Sequence, residues 1–268
     1  MLVAQISDLH VVPEGERAYG RVDTGALLHR ALTALASGSP RPDWIVATGD
    51  LTQSGRYIEY ARLREALVGV GISVLPVVGN HDSRVELRRA FGDDVDLSGA
   101  DGFIQYAVDL GGLRLVVLDT VTTGSDEPSF CNVRAEWLER ALAESNAPTL
   151  LAMHHPPFAS GIEWLEPQDP TWAAPLFGIL EGAPHVVRII AGHVHRAIHG
   201  TVQGIPVSTA PSTAHQVFPD FAGRPPLLST EAPGFQLHRW ADSQLTTYTV
   251  SIPGFAETFV PSQKGTGW

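Results

Sequence analysis

One cysteine, Cys131, is the only thiol in the 268-residue chain. No intrachain disulfide can form, and no thiolate metal site can be built. Cationic side chains are scarce as well. Eighteen Lys and Arg stand against 29 Asp and Glu, a formal charge of -11, with no basic patch along the chain. Surfaces that bind a phosphate backbone need such patches, so a nucleic-acid polymer is excluded as a partner. A small anionic substrate is not excluded, because a bound metal ion cancels carboxylates and dominates its local field. No apolar run approaches the roughly 20 residues of a membrane-spanning helix. The opening residues, MLVAQISDLH, have neither the basic nor the long apolar segment of a secretion signal, and read as a first β-strand. These absences predict a soluble, cytoplasmic protein with no membrane partner. Internal repeats and low-complexity tracts are lacking too. The chain is 44% hydrophobic and carries 26 Gly and 20 Pro, which suits one large domain, or one with a small appendage, rich in tight loops.

Strand-like and helix-like runs alternate over the first three quarters. LVAQIS is followed by DTGALLHRALTALAS, where Leu27, Leu28, Ala31, Leu32 and Leu35 keep helical spacing and Asp23 or Thr24 can cap. DWIVATG precedes the amphipathic RYIEYARLREALVGV, and SVLPVVG leads into SRVELRRAFG. FIQYAVDL and LRLVVLDT form a strand pair about a Gly111-Gly112 turn. RAEWLERALAES, TLLAM, TWAAPLFGILEG and VVRIIAG continue the alternation. After residue 200 the helices stop, and GTVQGIPVSTA, GFQLHRW and QLTTYTVSI are β-like. Pro211 to Pro233 is a long irregular segment of the kind that is functional or mobile. PSQKGTGW reads as a loose tail. The pattern is α/β with buried sheets.

Five of the apolar runs end in side chains able to bind a metal. Asp8 and His10 follow the first, Gly49-Asp50 the second, and Gly79-Asn80-His81-Asp82 the third; His154-His155 and Gly192-His193-Val194-His195 follow the last two. Taken singly, each has an ordinary structural explanation: a capping loop, a Gly-Asp turn, an Asx-turn or a proline-stopped strand exit. In open α/β sheets, however, ligands sit outside the carboxyl ends of the strands. Glycine there lets the backbone turn sharply, so side chains from separate strands can converge. A turn after Gly192 would let His193 and His195 leave strand geometry with both imidazoles free to reach a shared site. Asp8, His10, Asp50, Asn80, His154, His193 and His195 make a nitrogen-and-oxygen set suited to Zn, Fe, Mn or Co. Seven donors exceed one tetrahedral site and suit two metals that share a ligand.

The blocks DLH, GDL, GNHD, HHPP and GHVH, in this order, resemble the calcineurin-like metallophosphoesterase superfamily. The chain is similar to its bacterial branch of glycerophosphodiesterases and class III cyclic-nucleotide phosphodiesterases, from residue 2 to about 250 and including YGRVD and PSTAHQV. The resemblance implies a four-layer α/β/β/α sandwich. It implies a catalytic core over 1–200 and a β-rich section over 201–268 that completes the second sheet, with a cap and oligomerisation loop at 211–233. Asp8, His10, Asp50 and His195 would hold one divalent ion; Asp50, Asn80, His154 and His193 would hold the other. Asn80, a neutral and weak donor, predicts looser binding at the second site. The implied reaction is hydrolysis of a small phosphodiester by in-line attack of a metal-bridging hydroxide, in a homo-oligomer.

His81, His215 and Asn80 are the candidate catalytic residues on the substrate side. His81 either hydrogen-bonds the phosphate and protonates the leaving alkoxide, or only orients a metal ligand. His215 is either a substrate-side histidine or a loop histidine in solvent. His155 is expected to pack behind His154, and Asp82 and Asp119 to cap or support the site. The same chemistry on phosphomonoesters or nucleotide pyrophosphates is the alternative, and a non-catalytic scaffold a further one. Glycerophosphodiesters and cyclic nucleotides need the same metal core. Contacts that tell them apart are expected in 11–23, 121–132, 157–170 and 211–233.

Overall fold

The computed structural model describes residues 1–222 and 227–252, so the tail expected at 261–268 lies outside the described residues. Two sheets form the centre. In the first, strands β1 (Leu2–Ile6), β2 (Trp44–Thr48) and β3 (Ser73–Val77) run parallel. Helices α1 (Thr24–Ser37) and α2 (Tyr57–Val68) make the crossovers, and α3 (Arg84–Phe91) follows β3. The second sheet begins with the antiparallel pair β4 (Tyr106–Asp109) and β5 (Arg114–Val117), turned at Gly111 and Gly112, both at positive φ. It continues in parallel through β6 (Thr149–Ala152) and β7 (Val186–Ala191), with α4 (Asn132–Ala143) and α5 (Ala174–Leu180) as crossovers.

Local sequence accounts for these elements. Asp23 caps α1, accepting from the Ala26 amide at 3.0 Å, and Leu28, Ala31, Leu32 and Leu35 form its buried stripe. Ser83 caps α3 in the same way through the Glu86 amide. Strand alternation then separates two apolar layers. Leu115, Val117, Leu150, Ala152 and Ile190 join the core shared with the first sheet. Their neighbours Val116, Leu151, Ile189 and Ala191 pack instead with Leu138 and Leu142 of α4 and Leu176 and Leu180 of α5. The result is an α/β/β/α sandwich.

The C-terminal strands correct one expectation. Residues beyond 200 do not simply complete the second sheet. Strands β8 (His199–Val202) and β9 (Ile205–Thr209) do extend it beside β7. The chain then crosses over through the two-residue pair β10 (Gln216–Val217) and β11 (Leu228–Ser229). It finishes with the hairpin β12 (Gly234–Ala241) and β13 (Gln244–Ser251), which adds antiparallel to β1 in the first sheet. Alternation marks a segment as a strand, but the partner is whichever edge the compact fold leaves open. The crossing segment is itself not loose at its start, since Ser212, Thr213, Ala214, His215 and Gln216 are all buried. No helix among the described residues is long and apolar enough to cross a membrane.

Candidate metal centre

Strands β1, β2, β3, β6 and β7 all deliver their C-terminal residues to one rim. Asp8, His10, Asp50, His193 and His195 leave their strands in the left-handed region, with φ between 45° and 68°. Such backbone disfavours side chains with a Cβ and persists only where surrounding structure holds it. The conformations at His193 and His195 break the strand geometry and let their imidazoles diverge. Gly49, at φ +91°, is required for close approach as well: a Cβ there would lie 2.3 Å from Nδ1 of His154. At Gly79 a Cβ would lie 2.1 Å from the Asp50 nitrogen.

Asp50 sits between two groups of donors. On one side, His10 Nε2 lies 3.7 Å from Asp50 Oδ2, and 3.1 Å from Nε2 of His195. Nε2 of His195 is 3.5 Å from Asp8 Oδ1. The donor atoms of Asp8, His10, Asp50 and His195 fall within 4.8 Å of one another, a grouping able to hold a metal ion. On the other side, His154 Nε2 lies 3.4 Å from Asp50 Oδ2 and 2.9 Å from Asn80 Oδ1. His193 Nδ1 is 3.2 Å from the same Asn80 oxygen. The sequence-predicted donors are thus brought together in two clusters around one carboxylate.

Hydrogen bonds behind these side chains select which nitrogen faces inward. Nδ1 of His154 donates to the Thr48 carbonyl at 2.9 Å, and Nδ1 of His195 to the His215 carbonyl at 2.8 Å. Each Nε2 is left facing the centre, the arrangement that carbonyl-anchored histidines use to bind metal, with a lone pair on His195 and a proton on His154 that a metal ion would have to displace. Burial pushes His193 down to about 3 and His195 to about 4, so both imidazoles are neutral donors. Two further features fit a cation. Asp8 Oδ2 is buried without a hydrogen-bond partner. Burial, reinforced by the nearby Asp50 charge, also pushes the Asp8 carboxyl up to about 7. Burial opposes charge on Asp50 and His154 too, but their mutual attraction prevails: Asp50 is held well below the carboxylate range and His154 is raised to about 9. A proton on His154 thus supplies positive charge where a cation would.

The remaining predicted residues lie close by. Asp82 accepts from the amides of Gly79, Leu51 and Thr52 and from the Tyr60 hydroxyl, tying the exit of β2 to that of β3. Asp119 is held by a two-pronged contact with Arg84 and by the amides of Ile104 and Val121. His155 takes Thr120 as its partner at 2.8 Å and packs against the rings of His154 and His193. His215 is buried, with its ring 5.1 Å from His10 and 4.6 Å from His195, and is not a solvent-facing loop residue. His81 is partly exposed, donates from Nδ1 to the Gln53 carbonyl at 2.8 Å, and lies 4.0 Å from Asp50 through Nε2.

These groups floor a cleft of about 140 Å³. Its walls draw on all four segments expected to carry selectivity, through Tyr19, Asp126, Glu127, Trp164, Glu166 and Leu228 among others. No pattern in the sequence singled out those individual residues. Charge in loops without periodicity carries no signal until the loops are folded together.

Two packed sheets with histidine, aspartate and asparagine donors gathered at their carboxyl rim define a metallophosphoesterase. The family model described as calcineurin-like phosphoesterase matches residues 1–197, and the chain belongs to that family. A relative in Arcobacter nitrofigilis, named probable glycerophosphodiester phosphodiesterase GpdQ, is 31% identical over 95% of this chain and 94% of its own length. The cAMP/cGMP dual specificity phosphodiesterase of Mycobacterium tuberculosis is 34% identical over 80% of this chain and 68% of its own. Both belong to the bacterial branch that the sequence blocks resemble. Among solved structures, a dimetal phosphatase from Danio rerio shares the fold with a TM-score of 0.67 and 17% identity, over 94% of this chain and 99% of that one.

Proposed function

We infer that this chain is a metal-dependent hydrolase of small phosphodiesters. The observation that carries the inference is the placing of Asp50 between two donor clusters, one with Asp8, His10 and His195 and one with Asn80, His154 and His193. In this reading each cluster holds one divalent ion, Fe, Mn, Zn or Co, and Asp50 serves both. When bound, such a pair neutralises phosphoryl oxygens and makes water a nucleophile at neutral pH.

The chain's own residues divide the remaining work. His81 binds the phosphate and hands a proton to the leaving alkoxide. Its partial burial works against charge, but the Asp50 carboxylate and Gln53 carbonyl outweigh that and raise its pKa, as a proton donor needs. His215 is pushed down to about 3 by burial and by neighbouring His195, so it binds as a neutral imidazole and donates no proton from a charged ring. Asn80 orients the second cluster as a neutral oxygen donor.

The charge of the cleft favours diesters over the monoester and pyrophosphate alternatives. Asp126, Glu127 and Glu166 line it, and among the described residues its lining includes no Lys or Arg. Each extra negative charge on a substrate would meet repulsion on the order of 1 kcal/mol per carboxylate. Glycerophosphodiesters and cyclic nucleotides carry a single phosphate charge. Relatives named for both substrate classes support the reading without choosing between them. A reducing cytoplasm suits a chain with one cysteine. Of the segment 211–233, residues 223–226 lie outside the described residues; the remainder is proposed to cap the cleft and join subunits, since Phe218, Phe221 and Leu227 are exposed on it.

The test is chelation followed by reconstitution with Mn, Fe, Zn or Co. The substrates are glycerophosphocholine, glycerophosphoethanolamine, cyclic AMP, bis(p-nitrophenyl) phosphate and p-nitrophenyl phosphate. Metal-restored diester hydrolysis exceeding monoester hydrolysis is expected. Faster monoester turnover would favour the alternative, and no metal-restored hydrolysis would mark a scaffold. For His81→Ala, the loss is expected to grow with leaving-group pKa. An equal loss for good and poor leaving groups would remove the proton-donor role.

A further inference from the structure

Below the rim, the two sheets meet in a largely apolar interface; the Tyr106 hydroxyl donates across it to the Pro76 carbonyl at 2.9 Å, and Gln5, Gln236 and His238 are buried within it. Gln5 on β1 and Gln236 on β12 are fully buried and stand opposite each other in the antiparallel register. Both amides reach out of their own sheet. Nε2 of Gln5 donates to the Ala191 carbonyl at the end of β7, at 2.8 Å, and to the Thr48 hydroxyl at the end of β2, at 2.9 Å. Nε2 of Gln236 donates to the Thr209 carbonyl at the end of β9, at 2.9 Å, and to Thr249 at 3.3 Å. The carbonyls can only accept, so each amide has one orientation. His238 secures that of Gln5: its Nε2 donates to Gln5 Oε1 at 3.0 Å, while Nδ1 accepts from Thr247 at 2.8 Å.

The strand ends held in this way lead directly into the site. Asp8 lies three residues beyond Gln5, Asp50 two beyond Thr48, and His193 two beyond Ala191. From Thr209 the chain runs to Ser212, whose hydroxyl donates to the Asp8 carbonyl, and to His215, whose carbonyl orients His195. Apolar contact between sheets is non-directional and would tolerate sliding of one sheet over the other. A hydrogen bond in a low-dielectric interior does not.

We propose that Gln5 and Gln236 are positioning residues that set the offset between the two sheets, so that donors from the first sheet (Asp8, His10, Asp50, Asn80) meet donors from the second (His154, His193, His195). The inference rests on the reading of those side chains as metal ligands. It assigns the amide pair a task separate from stability. Replacing one partner of a buried hydrogen bond leaves the other unpaired and lowers stability, but that loss alone would not move donors that must agree to a few tenths of an ångström.

The test compares parent, Gln5→Met, Gln236→Met and the double variant by two measurements on the metal-stripped protein. One is the thermal midpoint; the other is calorimetric titration with Mn²⁺, with the visible absorption of the Co²⁺ form as a check on ligand geometry. Folded variants with thermal midpoints several degrees below the parent are expected, with metal affinity lowered tenfold or more and an altered Co²⁺ spectrum. A folded Gln5→Met that binds Mn²⁺ as the parent does, with the parental spectrum, overturns the proposal and leaves the hydrolase reading intact. If Gln5→Met does not fold, Gln236→Met decides by the same readings. A parent that binds no metal overturns the ligand reading and this inference with it.

Discussion

Asp8 is a group the metal-free protein should be better off without. Its carboxyl is fully buried, one oxygen has no partner, and burial pushes its pKa from 3.8 up to about 7. A folded-state pKa above the unfolded value means that the folded state holds its proton longer. Stability is therefore intact below about pH 4 and falls as pH rises to about 7. Three pH units at about 1.4 kcal/mol each make the cost at most about 4 kcal/mol at pH 8, and under about 2 kcal/mol at pH 5. Asp8→Asn removes the titration and keeps the Oδ1 acceptor that the His193 amide uses at 3.0 Å. Stripped Asp8→Asn is expected to melt higher than the stripped parent at pH 8, by roughly 2–4 °C per kcal/mol. The gain should shrink at pH 5. With saturating Mn²⁺ the order should reverse, because the parent gains more binding energy than a variant whose first cluster is impaired. Differential scanning calorimetry at the two pH values, with and without metal, makes the comparison. A stripped variant no more stable than the stripped parent at pH 8, or an advantage independent of pH, would refute the electrostatic account of this site.

Three further outcomes are expected. Metal binding near pH 7.5 should release about one proton per chain, because His154, raised to about 9 by Asp50, must shed its proton to bind; titration calorimetry in buffers of different ionisation enthalpy counts it, and His154→Gln should abolish it. Gly49→Ala should lower bound metal by one ion per chain in elemental analysis, since its Cβ would displace the His154 ring. Asp119→Ala should cost about 3–5 kcal/mol in urea unfolding, as it leaves the buried Arg134 and its neighbour Arg84 without their carboxylate.

Much of this was legible in one dimension. The α/β alternation, the Asp23 cap and the Gly111-Gly112 turn follow from local propensity, which acts over a few residues. The donors were visible because each of five apolar runs stops at a polar ligand type. The pairing of the C-terminal strands was not visible. Residues 205–209 and 234–241 have the same β-like character, yet one joins β7 in the second sheet and the other joins β1 in the first. The left-handed backbone at Asp8, His10, Asp50, His193 and His195 was equally hidden, because local preference would have put glycine there.

The roles of Gln5 and Gln236 could not be read either, since a lone glutamine in a strand looks like an error of alternation until its partner sheet is present. Sequence alone determined the list of candidate donors and the elements that carry them, because residue type and spacing are local properties. Tertiary structure decided which candidate donors gather around Asp50, which nitrogen of His154 and of His195 turns inward, and which loops wall the cleft. Those depend on contacts between segments up to about 200 residues apart, and only packing the two sheets together creates them.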